Sequence, residues 1–124
     1  MEKVTNMLLT ARAISKNQWA SPRKVRRVAD LVRGKSVDEA LNILHFGPSG
    51  ASTPVEKTVR SAMANLLEKE QAQRLAEEDV VISKITVDGG MMLKKWRPRA
   101  MGRAYRTRRR TCHISVEVAA QTEE

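Results

Sequence analysis

The 124-residue chain carries 23 Lys and Arg against 14 Asp and Glu, a formal net charge of +9, and is 41% hydrophobic but only 3% aromatic. That length suits one domain with a small core, and the charge points to a polyanionic partner. The single cysteine, Cys112, excludes an internal disulfide and a cysteine zinc cage, and the absence of any run of about 18 apolar residues excludes a helical membrane span. The opening apolar patch Met7-Leu8-Leu9 is too short for a secretory signal, so a reducing, cytoplasmic setting is expected.

In chain order, Thr10 to Ser15 is a candidate strand. Ser21-Pro22 then marks a helix start, a hydroxyl cap followed by proline at the first helical position. Val25, Val28, Ala29 and Val32 recur at helical spacing, and Gly34 stands where a left-handed residue would end the helix. The cationic positions of this helix are Arg23, Lys24, Arg26, Arg27 and Arg33. Ser36-Val37-Asp38-Glu39 reads as a capping box opening a second helix, with Val37, Ala40, Leu41 and Leu44 inward. Phe46-Gly47-Pro48-Ser49-Gly50 breaks it. Thr53-Pro54-Val55-Glu56 repeats the cap signature for a third helix. Its stripe is Val55, Val59, Ala62, Met63, Leu66 and Leu67, and its expected end is near Leu75.

Two β-branched segments follow. Val80 to Val87 places Val81, Ile85 and Val87 on one face beside Ser83. Cys112, Ile114, Val116 and Val118 alternate with His113, Ser115 and Glu117. Between them lie the 23 residues Asp88 to Arg110. Structureless loops beyond about 12–15 residues are uncommon in compact domains, so this insert reads as a functional arm. As a hairpin it would reach roughly 35 Å, with Asp88-Gly89-Gly90 as a bulge or kink at its base. The expected architecture is α+β: three helices packed on a small antiparallel three-stranded sheet with a long protruding β-hairpin.

Charge is confined to blocks. Lys94, Lys95, Arg97, Arg99, Arg103, Arg106, Arg108, Arg109 and Arg110 lie in a stretch without Asp or Glu, and the rest of the chain balances 14 basic against 14 acidic residues. A second basic block, Arg12 to Lys35, nets +7. The body from Ser36 to Leu93 nets −4, and Thr111 to Glu124 nets −3. Like charge at this density repels itself unless phosphates neutralise it, so two contact surfaces on one nucleic acid are expected. Arginine outnumbers lysine seven to two in the arm, which suits bidentate phosphate contact and stacking on bases. Trp96 and Tyr105 suit stacking on unpaired bases.

The tract Lys94-Lys95-Trp96-Arg97-Pro98-Arg99-Ala100-Met101-Gly102-Arg103-Ala104, with Arg109-Arg110-Thr111-Cys112-His113-Ile114, resembles the signature of one ribosomal family. That family is the universal large-subunit ribosomal protein twenty-two, in its bacterial form. Ser21-Pro22-Arg23-Lys24-Val25-Arg26 and Ala29-Asp30-Leu31-Val32-Arg33-Gly34 resemble the family's first helix. Ala40-Leu41-Asn42-Ile43-Leu44 and Ser61-Ala62-Met63-Ala64-Asn65 resemble its second and third. The likeness runs unbroken over roughly residues 11–119 and departs from the usual pattern at Met91-Met92, Trp96 and Tyr105.

The resemblance implies a single domain over residues 1–124: a body of 10–87 and 111–119, a basic hairpin of 88–110 and a short acidic tail of 120–124. It implies a structural constituent of the large ribosomal subunit, cytoplasmic and not a homo-oligomer, that binds 23S-type rRNA and supports subunit assembly. Its hairpin would line the nascent-peptide exit tunnel beside neighbouring large-subunit proteins, the protein four family among them, and touch the nascent polypeptide. The RNA contacts expected are Ser21, Arg23, Lys24, Arg26 and Arg27, the nine arm cations and His113. The expected tunnel tip is Met92, Leu93, Lys94, Lys95, Trp96, Arg97, Pro98, Arg99, Ala100 and Met101.

Blander readings stand beside these. His45 reads as a helix-end residue, Cys112 as core, and Gly89-Gly90 as a turn, since no helix follows to cradle phosphate. No nucleophile, paired-carboxylate or metal constellation is evident, so no enzyme, no metal and no cofactor is expected. The alternative is an architectural DNA-binding protein with a basic β-ribbon arm, which leaves the second basic block unexplained.

Overall fold

The structure, a computed structural model, describes residues 6–69 and 75–123. Three antiparallel strands, β1 (Asn6–Gln18), β2 (Val80–Pro98) and β3 (Ala104–Glu123), form one sheet in the order β1-β3-β2. Helices α1 (Pro22–Val32), α2 (Val37–Phe46) and α3 (Ser52–Leu67) supply the rest of the core, and a short 3-10 turn, Glu77–Asp79, leads into β2. The α+β class and the hairpin between β2 and β3 agree with the sequence.

Local chemistry explains the helices. Pro22 opens α1, and Ser21 holds the cap position in extended backbone without a side-chain capping bond. Val25, Val28, Ala29 and Val32 are buried, and Gly34 takes φ +79°, a conformation open to glycine at little cost. Ser36 Oγ accepts the Glu39 N–H at 3.4 Å, closing the expected cap of α2. Helix α3 begins earlier than its signature suggests. Its cap is Ala51, so Thr53 and Pro54 lie inside the first turn, where a missing N–H breaks no helical bond. It ends at Leu67, short of the expected end near Leu75, and residues 70–74 lie outside the described residues.

The central strand β3 buries Cys112, Ile114, Val116 and Val118, as the alternation predicts. On β2 the inward set is Val80, Ile82, Ile85 and Val87, whereas Val81 is exposed, contrary to the sequence reading. The register shifts between Ile82 and Lys84, and the extra residue reverses which parity faces the helices. Ser83, at that bulge, donates its hydroxyl to the Glu117 carbonyl at 3.1 Å. Strand β1 outruns the expected Thr10 to Ser15 because it pairs along β3 as far as Glu123. The segment expected as a tail from residue 120 is therefore strand, with Glu124 outside the described residues.

Both sheet edges are partly covered within the body. On β2, Ile82 exchanges backbone bonds with Gly34 and Lys35, and Arg33 Nη2 donates to the Ile85 carbonyl at 3.1 Å. On β1, Asn65 Nδ2 and Lys69 Nζ of the α3 end donate to the carbonyls of Arg12 and Thr10. Such capping occupies part of each edge ladder. From Met91 to Arg110, by contrast, the hairpin is exposed almost throughout.

Candidate nucleic-acid interface

Between Gly89 and Met92 the β2–β3 ladder shifts register, and Gly90 and Met91 together oppose Thr111. The bulge falls at the expected base of the arm. Pairing then runs unbroken from Met92↔Arg110 to Pro98↔Ala104. These rungs carry the turn roughly 25 Å past the bulge.

The turn spans Arg99 to Arg103, with the Arg99 N–H donating to the Arg103 carbonyl at 2.8 Å. Met101 and Gly102 take φ 62° and 69°, the sign pattern of a type I′ turn. The apex is thus Ala100-Met101-Gly102. Of the expected tip, Met92 to Pro98 form the outgoing strand, and Arg99 to Met101 form the first half of the turn.

Alternation along the ladder sorts the arm's side chains into two faces. One face carries Met92, Lys94, Trp96, Arg106, Arg108 and Arg110. The other carries Leu93, Lys95, Arg97, Tyr105, Thr107 and Arg109. Cations therefore stand on both faces, Lys94 directly across from Arg108, with Arg99 and Arg103 at the end. Like charges set opposite one another destabilise a ribbon. Among the described residues, no carboxylate lies within ion-pair distance of any of the nine. The Arg106 guanidinium lies over the Trp96 ring at 5.2 Å, a cross-strand cation–π pair that presents one broad, flat, cationic surface.

The α1 block lies at the same end of the body. Gln18, three residues before Ser21, pairs with Cys112 at the arm root, and Arg26 reaches Val87 on β2. Arg23, Lys24 and Arg27 are exposed, and Ser21 is half-buried with its hydroxyl unused by the helix cap. Two of the expected contacts also bond within the protein. Arg26 donates from Nε and Nη2 to the Val87 carbonyl at 3.1 and 3.0 Å, and His113 Nδ1 accepts the Asn17 N–H at 3.1 Å. Sequence reasoning missed Asn17 and Thr111. The available signal was Thr111 itself, a neutral residue closing a run of three arginines, which the fold buries.

Among the described residues, no three His, Cys, Asp or Glu side chains are grouped to hold a metal ion, and no helix is long and apolar enough to cross a membrane.

Comparison with known proteins agrees with this arrangement. The model of the family described as ribosomal protein L22p/L17e matches residues 13–119. The large ribosomal subunit protein uL22 of Crocosphaera subtropica is 48% identical over 114 residues, covering 92% of each chain. That of Desulfitobacterium hafniense is 47% identical over 113 residues, covering 91% of this chain and 96% of the relative. The protein of the same name from Acidothermus cellulolyticus is 48% identical over 117 residues, which are 93% of this chain but 42% of that longer protein. With the family's match running from β1 through the whole arm and into β3, this chain belongs to the ribosomal protein L22p/L17e family.

Proposed function

We propose that this protein is a structural constituent of the large ribosomal subunit that binds 23S-type rRNA through two surfaces and supports subunit assembly. The first surface is α1, with Ser21, Arg23, Lys24 and Arg27. The second is the arm, with Lys94, Lys95, Arg97, Arg99, Arg103, Arg106, Arg108, Arg109 and Arg110. One observation carries the reading: a ribbon without a core of its own bears cations on both faces and at its end, unopposed by carboxylates among the described residues. A protein laid on the outside of a nucleic acid needs charge on one face only. A ribbon charged all round suits a channel walled by phosphate, and each contact releases a condensed counterion. The exposed rings of Trp96 and Tyr105 add stacking, worth about 1–3 kcal/mol per base.

On this reading the protein works in the cytoplasm, within the ribosome. Its arm lines the nascent-peptide exit tunnel beside other large-subunit proteins, including the protein four family, and the apex around Met101 meets the nascent polypeptide.

Two experiments test this. The purified chain should co-sediment with large subunits at high salt and prefer 23S-type rRNA to duplex DNA of equal length. Equal affinity for the duplex would overturn the proposal in favour of an architectural DNA binder. A photo-reactive residue introduced at Met101 should cross-link to stalled nascent chains. Cross-links to rRNA alone would remove the tunnel from the reading while leaving the RNA-binding part intact.

A further inference from the structure

Several interactions converge where the arm leaves the body. Arg26 grips the Val87 carbonyl with two donors, three residues before the bulge. Thr111 lies opposite that bulge, is only 3% exposed, and donates Oγ1 to the Met91 carbonyl at 2.6 Å. His113 Nδ1 accepts the N–H of Asn17, which stands at φ 57° where the β1–β3 register also shifts. Gly90 lies beneath both side chains. A Cβ there would come within 2.5 Å of Thr111 Oγ1 and 3.2–3.3 Å of the His113 ring.

We propose that Arg26, Thr111 and His113, closing over Gly90, form a collar that fixes the direction in which the basic arm leaves the body. They are positioning residues, not RNA contacts. All three strands and α1 take part: β1 through Asn17, β2 through Val87, Gly90 and Met91, β3 through Thr111 and His113, and α1 through Arg26. The Nε–Nη2 edge of Arg26, which would fork onto a phosphate, is occupied. His113 uses Nδ1 as an acceptor, and its Nε2 edge lies beside Gly90, 3.3 Å from where a Cβ there would stand. A two-stranded ribbon is marginal alone and a bulge bends it, so the root needs bracing. A swing of about 10° there would displace the turn by roughly 4 Å at the end of an arm about 25 Å long. The purpose assigned to the collar rests on the RNA-binding reading, whereas its geometry does not.

The test uses the full chain, free in solution. Residual dipolar couplings of the Met92, Leu93, Arg109 and Arg110 amides should fit the body's alignment tensor in the wild type and in Thr111→Ser. In Thr111→Val, His113→Ala and Arg26→Ala that agreement should disappear while the body's couplings stay unchanged. Root amides that depart from the body's tensor in the wild type, or keep to it in all three variants, overturn the collar. Should Thr111→Val not fold, Arg26→Ala at an exposed helix position carries the same test. In rRNA binding, Arg26→Ala and His113→Ala should weaken affinity with the salt slope unchanged, and a slope lower by about one unit would make the residue a phosphate contact instead. A wild type that binds no rRNA would sink the proposed function, and the couplings would still judge the collar.

Discussion

Arg108, Arg109 and Arg110 are consecutive, so the ladder sends Arg108 and Arg110 to one face of the arm and Arg109 to the other. Every arginine removed from a phosphate should flatten the plot of log affinity against log salt by about 0.7–0.9 units. With RNA on both faces, the triple replacement by alanine flattens it by about 2–3 units. The pair Arg108→Ala with Arg110→Ala accounts for about two-thirds of that, and Arg109→Ala alone for about one-third. Over a fourfold rise in salt, the wild type then loses roughly 20–40 times more affinity than the triple variant. Fluorescence anisotropy with a labelled 23S-type rRNA fragment across a salt series measures this. An unchanged slope in the triple variant would refute phosphate contact by these side chains. A full effect from the pair with Arg109→Ala silent would refute the enclosed arm and leave a ribbon lying on RNA by one face.

Further outcomes follow from single positions. Met101 holds a left-handed backbone conformation that costs an ordinary side chain about 1–2 kcal/mol, so Met101→Asn should tighten the turn, read as stronger cross-strand nuclear Overhauser effects between Pro98 and Ala104. Beyond the collar the arm has no core. Amides from Lys94 to Tyr105 should exchange rapidly in the free protein and become protected on RNA; slow exchange without RNA would contradict this. Ile114, fully buried on the central strand, should cost about 2–5 kcal/mol as Ile114→Ala in urea unfolding, with a loss under about 1 kcal/mol counting against its place in the core. Burial pushes the Cys112 thiol above its ordinary 9.0. The folded chain keeps that proton where the unfolded chain has released it, so this contribution is whole below pH 9.0 and declines as pH rises through the folded value. Compared with Cys112→Ala, the wild type should lose extra stability above that pH, by at most about 1.4 kcal/mol per unit. Parallel curves would refute the shift.

The helices, the sheet class and the charged arm are legible in the sequence because each rests on a local signal. Val25, Val28, Ala29 and Val32 keep a helical period, Ser36 stands three residues before Glu39, and the arm's cations are contiguous. What is not legible depends on single-residue insertions in the ladder. Val80-Val81-Ile82 is apolar at every position, so only the bulge at Ser83 decides that Val81 faces out, and Ser83 bears no mark of it. By residue type Thr53-Pro54 is the better start, yet α3 runs back to Ser52 with Ala51 at the cap, where Ser49 Oγ accepts the Ala51 N–H. The apex lies at the far end of the tip expected over Met92 to Met101, because the turn forms where Met101 and Gly102 take positive φ.

The division of labour among the cations is the least visible feature. Arg23, Arg26 and Arg27 are alike as residues and sit on one helix. Only Arg26 is brought against a strand carbonyl, and that depends on how α1 crosses β2, a matter of packing in three dimensions. A basic block read from sequence therefore does not reveal which of its arginines is also bonded within the protein, as Arg26 is to the Val87 carbonyl. The same reasoning applies at the other strands: only the fold shows that His113 accepts the Asn17 N–H and that Thr111 donates to the Met91 carbonyl.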